Sequence, residues 1–177
     1  MSRVLLQMAG ESGTGKSTPP RAVGRATGAV VDRDIVKSRL LDGEAEIGLA
    51  GLPEALAGPL HHALLFDLAR TLLDQGFSVV LDGAAFYPFV RRRGRKTAAA
   101  AGAAYVLIER CLPDIEARQA RIDAKTLLSS QPSSASFSGD DRPKTEPLSE
   151  PHRLLDTSRS LDCYLNRALA CIRHDQG

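Results

Sequence analysis

Short apolar runs alternate with helix-forming stretches along this chain. Five of these runs have the length and the apolar content of buried strands, and they lie at residues 4–8, 29–31, 78–81, 104–108 and 153–155. A parallel sheet wrapped by helices produces this kind of alternation. We therefore predict an α/β fold with five strands and with helices between them.

A repeat of leucines marks the longest predicted helix. Four leucines recur at every fourth position and so share one helix face, which we predict to be buried: Leu60, Leu64, Leu68 and Leu72. The pair Gln75-Gly76 is typical of a helix end. Pro88 and Pro113 stand where further helices are predicted to begin, and a last helix is predicted over residues 161–172.

Residues 129–150 differ from the rest of the chain. Serine, proline and charged residues dominate this segment, and its apolar periodicity is lost. A long segment of this kind within a compact domain is either a functional lid or a disordered insertion. We favour a lid because the segment stands just before the final strand and helix. The predicted organisation is a single domain over residues 1–177, with a lid or disordered insertion at about 126–150.

Composition narrows the class of protein. The 177 residues are 43% hydrophobic and 25% charged, as in globular domains, and the net charge of +2 is too small to indicate a nucleic acid or a membrane as partner. The chain has no apolar stretch near the roughly eighteen residues of a membrane span and no signal-peptide layout at its start. Oligomeric state is not legible.

The cysteines and histidines have no metal-ligand spacing. Cys111, Cys163 and Cys171 lack a C-x-x-C pattern, so we expect reduced, mostly buried thiols in a cytoplasmic protein. The adjacent pair His61-His62 is expected to lie at the surface.

The most specific motif is Gly-Glu-Ser-Gly-Thr-Gly-Lys-Ser at residues 10–17, a complete phosphate-binding P-loop between a strand and a helix. Glycines allow successive N–H groups to point at phosphate oxygens, and the helix N-terminus adds its positive dipole end. Lys16 is predicted to contact the β- and γ-phosphates, and Ser17 to hold Mg²⁺. ATP and Mg²⁺ are therefore the predicted cofactors, and the predicted nucleotide-binding residues are Gly10, Ser12, Gly13, Thr14, Gly15, Lys16, Ser17 and Thr18.

Three acidic residues follow the predicted strands. Asp32 and Asp34 come after the second strand, and Asp82 ends the third. Ligands bind at the carboxyl ends of strands in doubly wound sheets. Asp32 or Asp34 is predicted to accept a proton from an attacking hydroxyl or to orient Mg²⁺ and substrate, and Asp34 is also a candidate helix N-cap. Asp82 is predicted to hold Mg²⁺, directly or through water, and with Asp32 to border the substrate.

Two groups of basic residues have open interpretations. Arg118 and Arg121 are three positions apart on one helix face, where they either stabilise a phosphoryl transition state or form a solvated, ion-paired face. Residues 91–96 include five basic residues that surround most of a helix without an aromatic platform. We expect this run to be a solvated outer helix rather than a nucleic-acid surface, although Arg91 or Arg92 could reach a substrate phosphate.

Taken together, these motifs make nearly the whole chain resemble the small P-loop kinases grouped with the zeta toxins, chloramphenicol phosphotransferase and the polynucleotide 5′-hydroxyl kinase domain, an ATP-binding AAA-type kinase domain. The resemblance rests on residues 10–17, 33–37 and 79–82, on the helix with the two arginines, and on residues 155–158.

The resemblance implies a three-layer P-loop NTPase fold with strand order 2-3-1-4-5 and helices on both faces of the sheet. It implies that Asp34 is the general base and that Lys37 contacts the substrate. By the same resemblance, Arg118 or Arg121 grips the phosphates and the loop around Thr157 borders the adenine.

The predicted function is ATP- and Mg²⁺-dependent transfer of the γ-phosphate to a hydroxyl group of a small molecule, with ATP or ADP and that acceptor as partners. A GTPase is disfavoured because the only asparagine, Asn166, precedes Arg167 and so cannot form an N-K-x-D motif. A shikimate- or gluconate-type metabolite kinase is one alternative, since Asp32 and Asp34 imitate its acidic pair. The other is a nucleotide-sensing module without transfer, which is favoured by the helix-disrupting pair Pro19-Pro20 after the P-loop.

Overall fold

The structure is a computed structural model, and it describes residues 3–10, 13–14, 28–44, 47–83, 85, 87–124, 126–131, 133, 148 and 151–158. The predicted last helix, the double proline, Cys163 and Cys171 lie outside the described residues.

Five parallel strands form the central sheet. In chain order they are β1 (Val4–Gly10), β2 (Gly28–Asp32), β5 (Ser78–Asp82), β6 (Ala104–Cys111) and β7 (Arg153–Asp156). Their spatial order is β2-β5-β1-β6-β7, which confirms the predicted 2-3-1-4-5 arrangement of five strands. Two further strands, β3 (Gly43–Glu44) and β4 (Leu49–Ala50), pair with each other as a separate antiparallel ribbon.

Four helices are described: α1 (Arg33–Asp42), α2 (Glu54–Asp74), α3 (Pro88–Ala100) and α4 (Ile115–Asp123). Among the described residues, none of the helices combines the length and the hydropathy that a membrane-spanning segment needs.

The central strands are buried on both faces, which explains why they are continuous apolar runs rather than alternating ones. On one face, Leu5 and Ala9 of β1 pack in a cluster with residues of α2 and α3, such as Phe66 and Val90. On the opposite face, a second buried cluster is centred on Val4, Leu6, Met8, Ile108 and Leu155. Burial on both faces fixes the sheet as the middle layer and leaves its strand ends as the place for polar chemistry.

The predicted buried face of α2 is wrong, because the buried row is displaced by one residue from the row of leucines. Leu60, Leu64 and Leu68 are exposed by 41%, 38% and 47%, and Leu72 is half-buried. The buried face instead consists of residues that also repeat every four positions: Ala57, His61, Leu65, Ala69 and Leu73. Since one residue turns a helix by about 100°, the leucine row lies beside the buried row rather than on it.

Helix ends agree closely with the proline and glycine signals. α2 ends at Asp74 with Gln75 as C-cap, as predicted, and α3 begins at Pro88. α4, however, begins two residues after Pro113, because Asp114 is its N-cap and accepts a hydrogen bond of 3.0 Å from the backbone N–H of Ala117. Pro113 therefore precedes this helix rather than opening it.

The basic run on α3 is not wholly a solvated face, which corrects the prediction for residues 91–96. Arg91 is buried and donates to the backbone oxygen of Ala85 at 3.0 Å. Gly94 is also buried, and a β-carbon there would collide with the side chain of Gln7. Arg92 and Arg93 do face solvent. This helix therefore uses one arginine of the run to support the loop after β5.

Candidate functional site

The carboxyl ends of four neighbouring strands carry the candidate site. In the strand register Asp32 of β2 lies opposite Asp82 of β5, and Gly10 of β1 lies opposite Arg110 of β6. Because all four strands are parallel, these residues share one edge of the sheet. The structure thus brings together the acids and the start of the P-loop that the sequence places far apart.

The P-loop is described at Gly10, Gly13 and Thr14, whereas Ser12, Gly15, Lys16, Ser17 and Thr18 lie outside the described residues. Gly13 has a φ of +79°, and a β-carbon there would collide with the backbone oxygen of Arg118. Both the dihedral and the close contact require glycine. The loop therefore packs directly against α4, which carries the candidate arginines.

Asp32 and Asp34 have separate roles in the structure. Asp32 is the N-cap of α1, and its Oδ1 accepts from the backbone N–H groups of Asp34 at 2.9 Å and Ile35 at 3.3 Å. The expectation that Asp34 could be the cap is therefore wrong. Asp34 lies in the first helical turn and is buried. Its carboxylate is not used in capping, because Asp32 performs that role.

Two side chains hold the Asp34 carboxylate. The Nε2 amide of Gln131 donates to Oδ2 at 2.9 Å, and Nη1 of Arg33 lies 3.4 Å from Oδ1. A buried carboxylate needs such partners, because an unpaired charge away from water is costly. Both carboxylate oxygens of Asp34 thus have defined neighbours in the described part of the chain.

A buried ion pair occupies the end of β5. Nη1 of Arg110 donates to Oδ1 of Asp82 at 3.0 Å, and Nε of Arg110 donates to the backbone oxygen of Ala9 at 3.1 Å. Both side chains are almost wholly buried. The described residues contain no cluster of three metal-ligating side chains. Asp82 is a carboxylate at this edge that would help to hold Mg²⁺, an ion that proteins commonly bind through one or two carboxylates together with nucleotide phosphates and water.

The two arginines of α4 contact different parts of the site. Arg118 is buried against Gly13 of the P-loop. Nη2 of Arg121 donates to the backbone oxygen of Thr157 at 3.0 Å, just after β7. The hydroxyl and the backbone N–H of Thr157 both donate to the backbone oxygen of Cys111. α4 therefore connects the P-loop with the loop that was predicted to border the adenine.

Lys37, a predicted substrate contact, forms an ion pair in this structure. Its Nζ lies 2.6 Å from Oε1 of Glu54, the first residue of α2. Lys37 stands one turn after Asp34 on α1, and its side chain is mostly buried, whereas that of Glu54 is largely exposed.

A narrow cleft opens at the same edge of the sheet. It is lined by Gln7, Met8, Arg33, His62, Leu65, Leu81, Gly83, Ala85 and Val90. The rings of His62 and Phe89 meet edge-on with their centroids 5.3 Å apart, and the rings of Phe89 and Tyr87 stack with their centroids 5.7 Å apart. Arg33, which contacts Asp34, thus also borders a mainly apolar cleft with aromatic side chains beside it.

The histidine pair is not at the surface, which corrects the prediction. His61 is 2% exposed; its Nδ1 lies 3.0 Å from the backbone oxygen of Ala57, and its Nε2 accepts from Arg33 Nε at 3.4 Å. Nδ1 of His62 is buried without a hydrogen-bond partner in the described part of the chain. Burial, followed by the neighbouring His61 and Arg33, lowers the pKa of His62 to about 3, and burial also lowers the pKa of His61. Both rings are therefore neutral at pH 7.

Sequence reasoning missed Arg110, the histidines and Gln131. Arg110 could have been found, because it lies near the end of an apolar strand, as Asp82 does. The histidines were hidden by the leucine row beside them. Gln131 carries no local signal, since only the tertiary structure brings it to Asp34, 97 positions away.

The fold and the glycine loop after β1 define an α/β protein with a P-loop kinase-like fold. The chain belongs to the AAA_33 family, described as an AAA domain, which matches residues 5–138. The comparison with curated proteins gives no match.

Solved structures with this fold include several kinases. The APS kinase CysC of Mycobacterium tuberculosis, in complex with AMPPNP and APS, is 23% identical with a TM-score of 0.69, and the match covers 97% of this chain and 98% of that one. A sugar kinase from Janibacter sp. is 19% identical with a TM-score of 0.60 and coverage of 98% and 95%. A gluconokinase from Sinorhizobium meliloti is 17% identical with a TM-score of 0.58 and coverage of 98% and 92%.

Proposed function

We propose that the protein is an ATP- and Mg²⁺-dependent phosphotransferase that transfers the γ-phosphate to a hydroxyl group of a small molecule. The observation that carries this proposal is the placement of Asp34. Asp34 is buried in the first turn after β2, at the edge where the P-loop begins, and Asp32 performs the capping. The Asp34 carboxylate is therefore not used for capping, which supports a role for it in proton transfer.

The nucleotide phosphates would bind the P-loop, with Lys16 against the β- and γ-phosphates and Ser17 on Mg²⁺. Bound Mg²⁺ neutralises charge on the phosphates. Asp82 would meet Mg²⁺ through water, because Arg110 already contacts one of its oxygens at 3.0 Å. Arg118 or Arg121 would stabilise the equatorial oxygens of the transferring phosphoryl group. The loop around Thr157, which Arg121 contacts, would border the adenine.

The acceptor would bind beside Asp34 and Arg33, at the carboxyl ends of the strands. Its hydroxyl proton passes to the Asp34 carboxylate, its oxygen forms a bond to the γ-phosphorus, and the bond to the ADP oxygen breaks. Lys37 and Asp32 would border this acceptor at the start of α1.

The solved structures support this proposal at the level of the fold, since their names include APS kinase, sugar kinase and gluconokinase. A gluconate-type acceptor is therefore one member of the proposed class. The finer resemblance to the zeta-toxin, chloramphenicol phosphotransferase and polynucleotide kinase group is retained as part of the proposal, as are the cytoplasmic location and the single domain over residues 1–177.

Thermal unfolding with ATP, ADP or GTP, each with and without Mg²⁺, tests the nucleotide site. A ligand at 100 times its Kd stabilises the folded state by about 2.7 kcal/mol, which for a chain of this size raises Tm by about 5–10 °C. We expect this rise with ATP or ADP, and we expect Lys16→Ala to abolish it. If none of the three nucleotides raised Tm, the proposal would be overturned.

Phosphate transfer to a panel of sugars, sugar acids, nucleosides and aminoglycosides tests the base. Asp34→Asn should retain the nucleotide-dependent rise in Tm and lose transfer by 10²-fold or more. Asp42→Asn, an exposed acid at the end of the same helix, is the matched control and should be active. Unchanged turnover in Asp34→Asn would eliminate Asp34 as the base.

The pair Pro19-Pro20 favours one second candidate, a module that senses ATP without transferring phosphate. Such a module would show the nucleotide-dependent rise in Tm, would transfer phosphate to no acceptor of the panel, and would be indifferent to Asp34→Asn.

A further inference from the structure

The start of the predicted lid forms a closed turn, residues 128–131, which we term the strap. The backbone N–H of Gln131 donates to the backbone oxygen of Leu128 at 2.9 Å. The backbone N–H of Leu128 donates in return to Oε1 of Gln131 at 3.2 Å. These two reciprocal hydrogen bonds brace the turn and fix the Gln131 side chain within it.

The strap is bound to the first turns of α1 through Ser130. The Ser130 hydroxyl donates to the backbone oxygen of Asp34 at 2.9 Å, and it accepts a hydrogen bond of 2.9 Å from the Ser38 hydroxyl. The backbone N–H of Ser130 donates to the Ser38 hydroxyl at 3.2 Å. Ser38 is 3% exposed, so these bonds form away from bulk water. Each hydroxyl both donates and accepts, which makes the network self-consistent.

The orientation of the Gln131 amide follows from its two partners. Oε1 accepts from a backbone N–H group, which leaves the NH₂ group to face the Oδ2 atom of Asp34 at 2.9 Å. The flipped amide would place its oxygen against a carboxylate oxygen and its NH₂ against an N–H group, and both contacts would be repulsive. Gln131 is therefore held as a donor to the carboxylate.

A residue just after the strap, Ser133, contacts α4. Nε2 of Gln119 donates to the backbone oxygen of Ser133 at 3.1 Å, and α4 also carries Arg118 and Arg121. Ser130 and Gln131 thus contact the helix of the candidate base, and Ser133 contacts the helix of the candidate arginines.

We infer that Gln131 is a positioning residue that holds the Asp34 carboxylate in the orientation required for proton transfer; this inference rests on the proposed function. With Oδ2 bound to the Gln131 amide, Oδ1 is the other carboxylate oxygen of Asp34, and it lies 3.4 Å from Nη1 of Arg33. The acceptor proton passes to Oδ1. Gln131 itself forms and breaks no bond in the reaction.

Gln131→Met tests this role, because methionine has a similar length but no N–H donor. Without its donor the carboxylate rotates among several orientations, so we expect kcat to fall by about tenfold while KM for ATP and the ADP-dependent rise in Tm are unchanged. Gln75→Met, at an exposed position after α2, is the matched control and should retain full kcat. In an Asp34→Asn background Gln131→Met should have no further effect on the residual rate.

An unfolding cycle in urea gives a readout that does not need turnover. Gln131→Met and Asp34→Ala each remove one partner of the same contact, so their effects on the unfolding midpoint should be less than additive. Full kcat in Gln131→Met would overturn the inference, and additive midpoints would show that the contact between Gln131 and Asp34 contributes nothing.

The two proposals fail in different ways. A wild-type protein that binds no nucleotide and transfers no phosphate overturns the proposed function, and the unfolding cycle then decides alone whether Gln131 holds Asp34. A wild-type protein that transfers phosphate and is indifferent to Gln131→Met retains the function and loses the inference.

Discussion

Asp32 and Asp34 show how burial separates two acids of the same type. Asp32 accepts two backbone N–H groups at the helix end, whereas Asp34 is buried and held by Gln131 and Arg33. Both acids were identified from sequence as candidates, but their roles depend on which side chain turns back to the helix end. Arg110 similarly determines the environment of Asp82, because removal of one partner from a buried ion pair leaves an uncompensated charge.

His62 should make stability depend on pH. Its pKa is lowered to about 3 in the folded protein, below the ordinary value of 6.5, so acid protonates the unfolded chain first. The stabilisation is fully present above pH 6.5 and is lost as pH falls from 6.5 toward 3. The largest possible slope of stability against pH is about 1.4 kcal/mol per pH unit. We expect a slope of roughly 0.5 kcal/mol per pH unit, because the ring is partly solvated. Urea unfolding between pH 7 and pH 5 measures this slope.

His62→Phe should reduce that slope, because phenylalanine retains an aromatic ring and cannot take up a proton. His152→Phe removes a different histidine, which lies 3.1 Å from Glu109, and should leave the His62 part of the slope in place. Equal slopes in wild type and His62→Phe would show that the ring is not protected from protons in the folded state.

Helix α2 shows why a period does not determine a phase. Both its exposed row of leucines and its buried row repeat every four residues, and the buried row contains His61 and two alanines. Alanine lets a helix approach the sheet closely, and the helix–sheet distance is a property of the packed layers rather than of the helix alone. Counting apolar residues therefore favoured the leucine row, although the other row is the buried one.

Leu65→Ala and Leu64→Ala compare the two rows directly. Leu65 is 3% exposed in the main core cluster, so its truncation should lower the free energy of unfolding by about 2–5 kcal/mol. Leu64 is 38% exposed, and its truncation should cost about 1 kcal/mol or less. Chemical denaturation of both variants measures the difference, and a larger loss in Leu64→Ala would restore the leucine face.

At the scale of the whole molecule, the order of the strands determines what belongs to one cooperative unit. β7 follows the serine-rich segment in the chain and pairs with β6 from Ile108 opposite Arg153 to Cys111 opposite Asp156. Leu155 of β7 is buried in the same cluster as Val4 and Met8 of β1. Residues after the segment are thus part of the same sheet and core as residues before it.

We therefore expect a single unfolding transition for the whole chain. Calorimetry should give one peak with an enthalpy of about 120 kcal/mol, and the van't Hoff enthalpy should equal the calorimetric one. Scans at two heating rates control for irreversible unfolding. Two transitions, or a van't Hoff enthalpy well below the calorimetric value, would contradict a single domain over residues 1–177.

Local sequence was sufficient for the features that depend on near neighbours. All five sheet strands were found because strands buried on both faces are continuous apolar runs, and the P-loop was found because its glycines and lysine have fixed spacing. The position of the acids at one edge followed from the parallel sheet. The strand order came from the resemblance to a family rather than from any local pattern.

Only the tertiary structure decided which side chains meet. The buried phase of α2, the burial of Arg91 and His61, the pairing of Arg110 with Asp82 and the contact of Gln131 with Asp34 all join residues that the sequence separates. Such contacts depend on the distances between layers and on the path of loops, which no local window contains. Sequence by itself therefore determined the sheet and the phosphate loop, and packing decided how the site is held.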